Sequence, residues 1–148
     1  MLSRSQVTDK ILEAKEAKGL TFKAIAEQVG RDPVWTTAAV LGQMKMEAAE
    51  ADALTELLGL DPEVSAALQR YPMKGSLNPT VPTDPLIYRF YEIVQVYGTT
   101  LKALIHEEFG DGIMSAIDFE MHLERLPDPH GDRVKITMHG KFLPYKKW

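Results

Sequence analysis

The sequence predicts an α+β protein, with a helical N-terminal half followed by a smaller C-terminal half of helix and antiparallel strands. Three observations predict it. Apolar residues recur at helical spacing from Ser5 to about Tyr71. Residues 71–85 (YPMKGSLNPTVPTDP) are dense in Pro, Gly, Ser and Asn, which bars extended regular structure. After Gly110-Asp111-Gly112 the apolar period changes to two. The predicted domains are therefore residues 1–75 and 76–148, with no internal repeat.

In the first half, Val7, Ile11, Leu12 and Ala14 form a helical stripe that ends near Gly19. Thr21 is an N-cap for the next helix, with Leu20 and Ile25 placed as a hydrophobic staple, and Gly30 closes it. Asp32-Pro33 opens a third helix with a cap and a first-turn proline. A fourth runs from near Met46 to Leu58 and stops at Gly59; a fifth begins at Asp61-Pro62 and ends before Pro72. In the second half, Asp84-Pro85 caps a helix from Leu86 to about Tyr97. Gly98 weakens it, and Thr99 or Thr100 restarts a second helix that ends at Gly110. Ile113, Ser115, Ile117, Phe119, Met121 and Leu123 then share one strand face, and Asp118, Glu120, His122 and Glu124 the other. A loop follows at 126–132 and a second strand at 134–138. His139-Gly140 reads as a tight turn into Lys141-Phe142-Leu143.

Composition narrows the function. The 148 residues are 45% hydrophobic and 26% charged, enough for a core. The net charge of −4 is spread evenly over both halves, unlike the positive excess of a polyanion binder. With no cysteine, disulfides, thiolate zinc sites and a cysteine nucleophile are excluded. No apolar run approaches the roughly 18 residues of a membrane span. Asp9, Glu13 and Glu16 on the first helix argue against a signal or transit peptide, so the expected location is cytoplasmic.

Three groups of residues invite a functional reading. FKAIAEQVG followed by RDPVWTTAAVLG has the layout of a helix-turn-helix. A DNA-binding regulator with a C-terminal oligomerisation domain is the alternative this raises. However, the would-be recognition helix carries no Arg or Lys between Asp32 and Met44, so no nucleic-acid partner is expected. The histidines at 106, 122, 130 and 139 lack ligand spacing, and His106-Glu107 fails the HExxH pattern because Gly110 stands at the fourth position. No metal is expected. The third group is YRFYE, where Arg89 and Glu92 are helix neighbours among Tyr88, Phe90, Tyr91 and Ile93. In such surroundings the pair is expected to be partly desolvated, which marks a functional candidate. Ser115 is an odd hydroxyl on an apolar strand face. Helix 86–97 is apolar nearly all round and calls for burial in an oligomer.

At these residues the sequence resembles the cyanase family. The resemblance rests on PTDPLIYRFYEIVQVYGTTLKALIHEEFGDGIMSAIDF (residues 82–119), on VWTTAAVLGQ in the first half and on the ending GKFLPYK. It implies a catalytic trio of Arg89, Glu92 and Ser115 that acts on cyanate with bicarbonate as co-substrate, and no cofactor. It also implies an N-terminal bundle like a lambda-repressor helix-turn-helix domain, and C-terminal strands that interlock in a dimer. Five such dimers would form a decamer, with active sites shared between subunits. Arg89 would bind the anions, and Ser115 would donate hydrogen bonds. Glu92 would orient Arg89 or relay a proton; the sequence leaves both roles open.

Overall fold

The computed structural model describes residues 1–75 and 80–148. Asn78-Pro79 of the linker, and the C-terminal side of the boundary at residue 75, lie outside the described residues. The element order is α1 (Arg4–Ala17), α2 (Phe22–Val29), α3 (Pro33–Val40), α4 (Ala48–Leu58), α5 (Pro62–Leu68), α6 (Pro85–Phe109), β1 (Gly112–Leu126) and β2 (Arg133–Pro144). By compactness the chain divides into two units: Met1–Gly75 with Met121–Thr137, and Ser76–Glu120 with Met138–Trp148.

The first unit is built on capped helices. The Ser3 hydroxyl accepts from Gln6 N–H at 3.2 Å, and the Gln6 side chain accepts from Ser3 N–H at 2.8 Å, a reciprocal capping box on α1. Thr21 accepts from Ala24 N–H at 3.1 Å, and Asp32 from Val34 N–H at 2.8 Å. Gly30 and Gly59 end α2 and α4 with φ of 77° and 68°, a left-handed turn that a Cβ would strain. α2 packs on α3 and α4, α4 on α5, and α1 on α4 and α5. Ile11, Ile25, Met46, Leu54 and Leu68 are fully buried at the centre. Burial of each such side chain contributes about 1.5–3 kcal/mol.

The second unit departs from the sequence expectation in three places. Residues 85–109 form one helix of 25 residues, not two broken at Gly98. An interior glycine costs about 1 kcal/mol, and one hydrogen bond per added residue outweighs it. His139 and Gly140 lie inside β2 rather than in a turn. A Cβ on Gly140 would collide with the Ser115 carbonyl and press on that of Asp118, so the glycine permits close approach of two backbones, not chain reversal. Strict alternation also fails on β1. Ser115 is buried while Ile117, assigned to the same face, is 98% exposed.

β1 and β2 pair in a two-stranded antiparallel sheet. The expected loop between them is present: Asp128 Oδ1 accepts from His130 N–H at 2.8 Å, and Arg125 meets Asp132 at 3.1 Å.

Candidate functional site

Arg89 and Glu92 are positioned by the start of α6. Asp84 caps this helix by accepting from the N–H groups of Leu86 and Ile87, both at 2.9 Å, and Pro85 occupies its first turn. One turn on, Arg89 Nη1 meets Glu92 Oε2 at 3.1 Å, the i,i+3 contact expected from the sequence. Arg89 Nε also donates to the Pro85 carbonyl at 3.2 Å. The guanidinium carbon lies 5.1 Å from the centroid of the Tyr88 ring, which in turn lies 6.1 Å from that of Tyr91. These contacts leave Nη2 and the second N–H of Nη1 available to an anion, in the planar fork that matches carboxylate oxygens.

The expected desolvation is not supplied within one chain. The Arg89 and Glu92 side chains are 60% and 45% exposed, because α6 has no buried residue along its length. An ion pair this open contributes at most about 1 kcal/mol to stability.

Ser115 sits near the start of β1 and is only 6% exposed. Its hydroxyl oxygen accepts from the N–H groups of Ile117 and Asp118, each at 3.0 Å. With both lone pairs engaged, the hydroxyl's remaining capacity is to donate its own proton. That suits a donor to developing negative charge and opposes a nucleophile. Ser115 makes no hydrogen bond to Arg89 or Glu92, so a single chain joins two of the three candidates and leaves the third apart.

Two supports for the site were not read from the sequence. The Pro85 carbonyl is backbone and carries no side-chain signal. Gly140 was assigned to a turn, although an isolated glycine in an apolar-alternating run also signals close backbone approach. A cleft of about 440 Å³ in the second unit is lined by Val94, Leu101, Ile105, His106, Ile113 and Tyr145 among others, and by none of the three candidates.

The histidines lie on α6, on the hairpin loop and on the two strands. His106 is in the last turn of α6 and His130 in the hairpin loop. His139, expected in a solvated turn, instead lies on β2 with Nε2 3.6 Å from Glu120 Oε2 on the exposed hairpin surface. In the first unit, His122 Nδ1 lies 2.8 Å from Asp32 Oδ2. Burial pushes the Asp32 carboxyl up, but the hydrogen bond with His122, the Val34 N–H and the His122 charge outweigh it. The group is held below the usual carboxylate range.

The arrangement in the second unit is an anion-binding guanidinium with a carboxylate partner, plus a separate hydroxyl donor. Comparison with known proteins assigns it to a family. Residues 79–147 match the cyanate lyase C-terminal domain, and residues 4–72 match the cyanate hydratase N-terminal domain. The chain belongs to the cyanate hydratase family. It is 63% identical to a cyanate hydratase of Cupriavidus necator over 147 residues, covering 99% of this chain and 100% of that protein. It is 58% identical to a cyanate hydratase of a Synechococcus species over 146 residues, covering 99% and 97%. The crystal structure of cyanase from T. urticae is similar with a TM-score of 0.83 at 40% identity, covering 93% of this chain and 96% of that one. Members of the family are enzymes of the lyase class, and the protein is one of them. Among the described residues, no helix is long and apolar enough to cross a membrane.

Proposed function

We propose that the protein decomposes cyanate with bicarbonate, giving ammonia and carbon dioxide by way of carbamate. The observation that carries this reading is the similarity to cyanate hydratases along 99% of the chain. Residues 76–148 form the catalytic and dimerisation domain, and residues 1–75 a bundle that does not bind DNA. The protein acts in the cytoplasm, without metal or cofactor.

The chemistry follows from charge. Cyanate and bicarbonate are both anions and repel each other in water. Arg89 offsets that repulsion and holds the oxygens of the reactants in its fork. A bicarbonate oxygen attacks the cyanate carbon, and the bicarbonate proton passes to nitrogen, giving a dianion. The C–O bond on the bicarbonate side breaks and releases carbon dioxide; one solvent proton completes carbamate. The C–N bond then breaks as a second solvent proton reaches nitrogen, leaving ammonia and a second carbon dioxide. Ser115 donates its hydroxyl to oxygen where charge develops, a capacity supported by the two N–H groups that occupy its lone pairs. Glu92 orients Arg89 or relays protons to nitrogen; its 3.1 Å contact with Arg89 supports the first role without excluding the second.

The acting form is a homo-oligomer, a decamer of five interlocked dimers with sites shared between subunits. Support comes from α6, on which Leu86, Val94, Val96, Leu104 and Phe109 are each more than half exposed. Each strand of the hairpin also has one neighbour among the described residues, leaving an open edge for pairing. The DNA-binding alternative gains nothing from the geometry. Arg31, the cation beside α3, is committed to Glu50 and to the face of Trp35.

Ammonia release from cyanate, measured with and without bicarbonate, tests the reading. Turnover is expected only with bicarbonate and should survive dialysis against a strong chelator. No turnover under either condition overturns the reaction, and chelator-sensitive turnover restored by zinc overturns the metal-free mechanism.

A further inference from the structure

Arg89 is held on three sides. The Pro85 carbonyl and Glu92 grip the guanidinium by its edge, at 3.2 Å and 3.1 Å, and an edge contact still permits rotation about the gripped side. The ring of Tyr88 supplies the face contact, with its centroid 5.1 Å from the guanidinium carbon. A cation over the negative face of an aromatic ring is attracted to it and so held in position. Tyr88 is itself half-buried, unlike its exposed neighbours Ile87, Arg89 and Phe90, and its ring is braced by Tyr91 at 6.1 Å and a 34° tilt. The ring beside the guanidinium is thus better anchored than Arg89 itself.

We propose that Tyr88 is a positioning residue for Arg89: its ring holds the guanidinium in place, so that the free Nη2 edge meets the reacting anions. The inference rests on the reading of Arg89 as the anion-binding group. It assigns the work to the aromatic face and not to the phenol, since the contact of Tyr88 with Arg89 is made by the ring. The hydroxyl is therefore dispensable, and an aliphatic side chain of similar bulk is not.

The test compares Tyr88→Phe with Tyr88→Leu in the assembled protein, reading the dissociation constants of bicarbonate and of azide by calorimetry. Azide is used because it is linear, singly charged and isoelectronic with cyanate. Tyr88→Phe should bind both anions as the unaltered protein does. Tyr88→Leu should bind them about 2- to 5-fold more weakly, the scale of an exposed cation–π contact. Its kcat/KM should fall by at least as much, while subunit assembly and melting temperature match those of the Phe variant. Equal anion binding by the Leu and Phe variants overturns the positioning role, and so does an equal loss in both. Arg89→Ala provides the separate control. If that variant still binds azide and bicarbonate unchanged, the reading of Arg89 itself fails. If Arg89→Ala loses anion binding while Tyr88→Leu does not, only the role of Tyr88 falls.

Discussion

At the scale of single residues, the candidate site is defined by which donors remain free. Arg89 spends its Nε–H on Pro85, forms an ion pair with Glu92 through Nη1, and keeps a fork for anions. Lysine retains the charge but not the fork, so Arg89→Lys should lower kcat/KM by about 10²-fold or more while leaving the circular dichroism spectrum unchanged. Glu92→Gln divides the two roles proposed for the carboxylate. A large loss of turnover with unaltered azide affinity assigns it to proton relay; loss of both assigns it to orienting Arg89. Near-normal rates in both variants would remove the assignment of the pair. Ser115 spends its lone pairs on Ile117 and Asp118, so its hydroxyl acts as a donor. Ser115→Ala should slow turnover by about 10²–10³-fold, as loss of an oxyanion donor does, and steady-state rates at saturating cyanate check it.

At the scale of elements, the hairpin carries two consequences. Gly140 lets β2 approach the carbonyls of Ser115 and Asp118, and a methyl group there would collide first with the Ser115 carbonyl, which is backbone, as well as with the Met114 side chain. Gly140→Ala should therefore destabilise the protein by about 1–3 kcal/mol and lower activity further by moving Ser115. Thermal melting together with rates well below the melt would show both effects; unaltered activity would mean that β2 does not hold Ser115 in place. The second consequence is a pH dependence. Asp32 caps α3 and pairs with His122, and its carboxyl sits below the usual range. A carboxylate with a depressed folded pKa contributes stability above its unfolded value of about 3.9, and that contribution is lost as pH falls through the lower folded value. Asn preserves the cap but not the charge. The stability difference between the protein and Asp32→Asn should thus be present at about pH 5 and shrink as pH falls below about 4. Urea unfolding at fixed protein concentration measures it, and a difference independent of pH would dismiss the pairing.

At the scale of the whole molecule, the proposed catalytic form is larger than one chain. A single chain leaves α6 without a buried residue and Ser115 without a hydrogen bond to the Arg89–Glu92 pair. One guanidinium is also a meagre counter-charge for a dianion. Mixing Arg89→Ala with Ser115→Ala after dissociation and reassembly should therefore restore part of the activity, most when the two are mixed equally. Recovery requires that the Arg89 and Ser115 of one site come from different chains, because only then do some mixed sites hold wild-type side chains throughout. No recovery at any ratio despite demonstrated subunit exchange, or a fully active monomer by light scattering, would leave each chain with a pocket of its own.

Local chemistry in the sequence determined most of the elements. Thr21, Asp32 and Asp84 each cap the helix they were expected to open, and Gly30 and Gly59 close theirs in the left-handed turn that only glycine adopts freely. The i,i+3 contact of Arg89 and Glu92 was legible for the same reason, since both groups lie on one helical turn. Tertiary structure decided what depends on residues far apart in sequence. Gly98 looked like a break and Gly140 like a turn because an isolated glycine carries the same local signal in either role. For Gly98 the answer is still local, in the helix that propagates through it; for Gly140 it lies in the carbonyls of Ser115 and Asp118 on the opposite strand. Ser115's two accepted hydrogen bonds and the pairing of His122 with Asp32 were equally invisible to periodicity, which records the face a residue occupies and not the partner it meets.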